Sequence, residues 1–175
     1  MSHRNSFHII GAISNSVAAR FVNWIADFAA EPAAGTGPKI ANIYLASDGG
    51  DVDAAFIIID YANLFMASGA FAEIHTHAVG ACSSAAFDVW LVGTRRFVSE
   101  HAICVFHNAT GSNVKPALFE ARAVRWLCAR TKLDEFGARQ LRDRTTVCDV
   151  TELERLGIEF EIERQFSYYD KSVKP

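Results

Sequence analysis

Along most of its length the chain alternates between short apolar runs that read as strands and longer runs with helical spacing, and this alternation limits the fold more than any other feature. FHIIGAI at 7–13 is a strand candidate, and Ser16 can cap the following VAARFVNWIADFAA, whose apolar positions recur at helical spacing. IANIYLA at 40–46 is the next strand, reached through the non-periodic, Pro/Gly-rich loop EPAAGTGPK at 31–39. Gly49 and Gly50 come next, and Asp51 caps a helix to about residue 68. Residues 71–77 predict a third strand, 83–92 a short apolar helix, and RRFVSEHAICVFH two short strands around Ser99 and Glu100. Residues 116–144 have a helical pattern, and a last helix over 150–156 ends at Gly157 before the strand IEFEI. Strands alternating with helices imply an α/β fold of repeated β-α units, with a mostly parallel sheet, flanking helices, and ligands gathered at the C-terminal ends of the strands.

Composition narrows the class. Half of the 175 residues are apolar, enough for one core, so we expect a single domain over 1–175 with a short extension at 1–6 and a tail at 163–175. Seventeen basic against twenty acidic side chains give a net charge of -3 with no basic stripe, which excludes nucleic acid as an expected partner. Asp60 and Asp88 interrupt the longest apolar runs, so no membrane span is expected. Cys82, Cys104, Cys128 and Cys148 form no C-x-x-C pair and the start lacks a secretion-signal pattern, which together predict reduced thiols and a cytoplasmic location.

The residues after the strand candidates are chemically selective: Ser47-Asp48-Gly49-Gly50, then Gly80-Ala81-Cys82-Ser83-Ser84-Ala85-Ala86, then His107-Asn108. Gly49-Gly50 can be a plain turn or can present bare N–H groups to an anion. Ser84 can be a helix cap or a nucleophile, and His107 a hydrogen-bonded strand-end histidine or a base. Acyl transfer needs all three together: an exposed hydroxyl, a base within reach, and N–H donors for the oxyanion.

In this order and spacing the residues resemble the Clp protease proteolytic-subunit family, within the wider crotonase-like fold. The resemblance rests on Gly-Gly after a strand, G-x-x-x-S-x-A, a hydrophobic pair before His-Asn, and ELERLGI near the end. It implies a serine peptidase acting on peptide or unfolded protein, with Ser84 as nucleophile, His107 as base, Gly49 and Ala85 as oxyanion donors, and Gly50 where substrate approaches. No cofactor and no metal are implied.

Two departures stand out. The family's aspartate that orients the histidine falls here on Thr145, with Asp143 two residues earlier and Asp88, one turn after Ser84, as alternatives; Asp88 would need a partner such as Arg95, Arg96 or a histidine. The first strand begins by Phe7, which puts docking of an ATPase unfoldase in doubt, and the stretch 107–144 is shorter than the family's handle, which joins two rings face to face; apolar helices such as AAFIIIDYANLFMA still predict a homo-oligomer. His75 and His77 share a strand face without a third ligand nearby, Cys82 reads as a packing residue, and QFSYYDKSVKP as a frayed tail or an arm on a neighbouring subunit. Two rival functions follow: a silent scaffold or regulatory subunit, for which Thr145 argues, and a crotonase-type enzyme acting on acyl-coenzyme A, against which the Ser84–His107 pair argues.

Overall fold

The computed structural model describes residues 5–32, 37–107 and 116–163. Strand β1 (Ser6–Ile10) leads to α1 (Asn15–Ala30), β2 (Ile40–Ser47) to α2 (Val52–Ala67), and β3 (Glu73–Ser83) to α3 (Ala85–Trp90). Next come β4 (Arg95–Ser99), β5 (Ile103–Phe106), α4 (Pro116–Arg130), α5 (Glu135–Asp143), β6 (Thr146–Cys148), α6 (Val150–Arg155) and β7 (Glu161–Glu163). The sheet runs β1-β2-β3-β4-β7, all parallel, while β5 pairs parallel with β3 and antiparallel with β6. The expected α/β architecture is present.

Side-chain alternation explains how the sheet is covered. Phe7 and Ile9, Ala41, Ile43 and Leu45, and Ile74, Thr76 and Ala78 are buried, alternating along their strands with more exposed neighbours. Phe21, Ile25 and Phe28 of α1 join the same core, as do Ile58 and Ile59 of α2. On the other face His8, Tyr44, His77 and Phe97 stand in register and stack, with ring centroids 4.9, 4.2 and 4.7 Å apart in succession. His77 Nδ1 lies 3.3 Å from the Glu163 carboxylate and its Nε2 3.3 Å from Asn42 Oδ1. His75 pairs instead with Glu73, at 2.5 Å.

Several boundaries differ from the sequence reading. Ser14, not Ser16, caps α1: its hydroxyl accepts the Val17 N–H and pairs with Ser16 Oγ. Strand β3 continues six residues past His77, because β4 flanks its first half and β5 its second. Gly80, at φ +117, marks the changeover. Helix α3 is therefore shorter than 83–92, and it starts only after Ser84. The long helical pattern after Pro116 breaks at Thr131, where Asp134 caps a second helix through the Gly137 N–H at 2.7 Å. β6 was not expected, and β7 begins three residues later than IEFEI, whose Ile158 is buried in the core. The closing QFSYYDKSVKP, Asn108 and residues 33–36 of the loop lie outside the described residues. Among the described residues no helix is long and apolar enough to cross a membrane.

Candidate active site

β2 ends at Ser47 and turns through Asp48, Gly49 and Gly50 into α2, capped as expected by Asp51, whose Oδ1 accepts the Ala54 N–H at 3.0 Å. The turn is pinned on β1's far side: Ile13 N–H donates to Gly49 O at 2.8 Å and Asp51 N–H to Ile13 O at 2.9 Å. A side chain at Gly50 would meet Ile13 O at 2.3 Å, and its φ of +144 also favours glycine. Gly49, at φ +100, faces the next turn: a Cβ there would lie 2.7 Å from Ser84 Cβ and 2.8 Å from Ser83 O. The two glycines thus let the β2 turn close on both Ile13 and the start of α3.

Ser84 adopts φ 54 and ψ −127, and among the described residues it is the one non-glycine with positive φ. Such a conformation costs on the order of 1–3 kcal/mol and persists only where the surroundings impose it. Here they do: Ser84 N–H donates to Val105 O at 2.7 Å, and every residue of α3 is buried. Although Ser84 stands at the N-cap position, its side chain makes no capping hydrogen bond, so the plain cap reading does not describe it. The hydroxyl belongs to a half-buried residue at the C-terminal end of β3.

His107 follows β5 directly and is also half-buried. Ser83 pairs with Val105 across β3 and β5, so both strands deliver Ser84 and His107 to the same edge. On the other side of β5, Phe106 pairs with Thr146 in antiparallel register. The ladder ends at that pair, with His107 the next residue on the β5 side and Thr145 the preceding residue on the β6 side. Thr145 is exposed, while Asp143 is the last residue of α5 and is likewise exposed.

Asp88 lies elsewhere. It is 2% exposed within α3, and its ionic partner is Arg142 rather than Arg95, Arg96 or a histidine, with Arg142 Nη1 3.7 Å from Asp88 Oδ2. Burial, opposed by the Arg142 charge, pushes the Asp88 carboxyl up to about 6. Arg95 pairs with Glu161 and Arg96 donates to Arg130 O. The geometry thus brings Ser84, Ala85, Gly49, Gly50, His107 and Thr145 to one edge and leaves Asp88 behind it.

Two roles escaped the sequence reading, those of Ser47 and Arg142. Ser47 Oγ accepts the Gly49 N–H at 3.1 Å and so occupies it, whereas the N–H groups of Gly50 and Ala85 have no hydrogen-bond partner among the described residues. Arg142 was legible in principle, since it falls four residues after the buried Ala138 and next to the buried Leu141, on the inward face of α5. Three of the four cysteines, well separated in sequence, lie side by side: Cys82 opposite Cys104, and Cys104 opposite Cys148. All three are buried, and burial pushes the Cys82 thiol well up and the Cys148 thiol to about 12, which suits packing residues.

The family model for Clp protease matches residues 8–146. Among solved structures, a ClpP1 mutant from Listeria monocytogenes superposes with a TM-score of 0.80 at 18% identity, covering 93% of this chain and 92% of its own. The ClpP protease catalytic domain from Plasmodium falciparum gives 0.79 at 15% identity, covering 96% and 90%. No curated protein matches. The structural neighbours are too distant in sequence to carry more than the fold, but the family match spans most of the chain and includes Gly49, Ser84, His107 and Thr145: the chain belongs to the Clp protease family.

Proposed function

We propose that this Clp family member is a serine peptidase in which Ser84 attacks the carbonyl of a peptide or unfolded-protein substrate. The observation that carries the reading is the Ser84 backbone, held at φ 54 with its hydroxyl uncommitted to the helix it begins. The His107 imidazole takes the hydroxyl proton as the Ser84 Oγ–carbon bond forms, and returns it to the amine as the C–N bond breaks. Water, deprotonated by the same imidazole, then releases the acyl group. The oxyanion meets the Ala85 N–H and an N–H of the glycine turn. Gly50 offers its N–H as it stands; Gly49 can join only when Ser47 Oγ lets go. Thr145, at the same end of the ladder as His107, accepts its other ring N–H in place of a carboxylate. A hydroxyl stabilises imidazolium less than a carboxylate does, so turnover is slow.

Exposed apolar side chains, among them Ile10, Leu64 and Phe136, support a homo-oligomer. The test is intact mass after exposure to a fluorophosphonate, with Ser84→Ala alongside. One adduct that disappears in Ser84→Ala is expected; an adduct that persists in the variant would sink the assignment. No adduct in the wild type would favour the second reading, a silent scaffold, for which the exposed Thr145 in place of a carboxylate is the specific support.

A further inference from the structure

Behind Ser84 lies a cluster of three ionisable side chains, Asp88 and Arg142 buried and Glu120 half-buried, that acyl transfer itself does not use. Asp88 sits one turn into α3, Glu120 on α4 and Arg142 in the last turn of α5. Arg142, only 6% exposed, points one guanidinium nitrogen at Asp88 from 3.7 Å and donates from Nε to Glu120 Oε2 at 3.4 Å. Glu120 Oε1 is buried and has no hydrogen-bond partner among the described residues. Trp126 of α4 also reaches α3, donating from Nε1 to the Asp88 backbone carbonyl oxygen at 2.9 Å. One guanidinium therefore spans three helices.

The position of those helices matters more than the cluster's strength. α3 is the helix that Ser84 begins, and it has six residues, too few to hold its own geometry through internal hydrogen bonds. α5 runs directly through Arg144 and Thr145 into β6, the strand laddered to β5 and its His107 end. Arg142 thus stands between the nucleophile's helix and the segment facing the base.

We propose that Arg142, acting through Asp88, is a positioning residue: it sets the first turn of α3, and with it Ser84 Oγ and the Ala85 N–H, against the β5–β6 edge that carries His107 and Thr145. The catalytic consequence rests on the acyl-transfer reading; the geometric consequence does not. A buried ion pair is poor at adding stability, because desolvation offsets its attraction, but it fixes one arrangement of the elements it joins. The tie from α3 to α5 is the one the site needs, and the tie from α4 to α5 is not.

Three variants separate these ties. Asp88→Asn removes the charge from the α3 tie and leaves Arg142 its ion pair with Glu120; Glu120→Gln removes the charge from the α4 tie and leaves the one with Asp88; Arg142→Lys keeps the charge but cannot span both carboxylates. Two readouts are followed: the rate of fluorophosphonate modification at Ser84, and the His107 imidazole titration by NMR, assigned through its loss in His107→Gln. Asp88→Asn is expected to slow modification about tenfold or more and to move the His107 titration, with Glu120→Gln staying within about twofold and Arg142→Lys falling between. Equal effects of Asp88→Asn and Glu120→Gln, or no movement of His107 in Asp88→Asn, would overturn the positioning role. A wild type that takes no label would count against the serine reading, and the His107 titration would then decide the positioning role by itself.

Discussion

Replacing Asp88 by asparagine should make the protein more stable at neutral pH relative to acid, and the amount can be worked from its burial. The carboxyl is held at about 6 against an ordinary 3.8, chiefly because burial disfavours its charged form. A carboxyl that binds its proton more tightly in the folded chain than in the unfolded one favours folding most below about pH 4, and that contribution is lost as pH rises through about 6. The gap corresponds to about 3 kcal/mol over the whole titration, of which about 2 kcal/mol falls between pH 4.5 and pH 7.5. Asparagine has nearly the same volume and no such titration. Denaturant midpoints with their slopes, measured for wild type and Asp88→Asn at both pH values, give the difference of differences in which other titrating groups cancel. The variant should gain about 2 kcal/mol on the wild type between the two. A wild-type-to-variant gap that is the same at both pH values would refute the reasoning, because it would mean that Asp88 ionises as easily folded as unfolded.

Three further substitutions probe the site and its support. Gly49→Ala forces a Cβ to within 2.7 Å of Ser84 Cβ at φ +100, so it should cost on the order of 1–3 kcal/mol of stability and abolish Ser84 modification, read by melting and by intact mass. If Thr145 takes the role proposed for it, Thr145→Asp supplies His107 with a carboxylate and should raise the fluorophosphonate rate about tenfold or more; an unchanged rate would show that Thr145 does not face the imidazole. Thr76→Val removes the buried 2.6 Å bond from Thr76 Oγ1 to Trp90 O, at the C-terminal end of α3, and should lower stability by about 1 kcal/mol without altering the His107 titration.

The elements that were legible are those whose signal is local. β2, the Asp51 cap, α2 and the stop at Gly157 depend on residues near one another in sequence, and they stand where the patterns put them. β3 did not yield its length, because its second half is a strand only through β5, which arrives about twenty residues later. β6 is three residues long and exists through the same strand, so no periodicity could reveal it. Ser84 was readable from spacing and family resemblance, yet its backbone strain was not, since that comes from Val105 O and the packing of α3. The partner of Asp88 was the least visible, because Arg142 lies 54 residues away and meets it only once α5 has folded back.

Helix α3 and its N-cap gather two costs in one place. Ser84 carries positive-φ strain on the order of 1–3 kcal/mol, and Asp88 four residues later carries about 3 kcal/mol of ionisation penalty at neutral pH. A six-residue helix cannot offset this by its own hydrogen bonds. The offset must come from packing: Phe87 meets Phe106 at 4.1 Å between ring centroids and Trp90 at 5.1 Å, and each fully buried aromatic contributes about 2–3 kcal/mol. Those two rings thus counter the strain and the charge with little to spare. Loss of one should therefore unsettle the Ser84 turn before β1 and β2, which are held by their own strand pairing as well as by the shared core. Phe87→Leu, which keeps most of the burial but gives up the ring contact with Phe106, should accordingly show faster amide exchange in α3 and at Ser84 than in β1 and β2; uniform exchange across all four would mean that α3 draws no particular support from that contact.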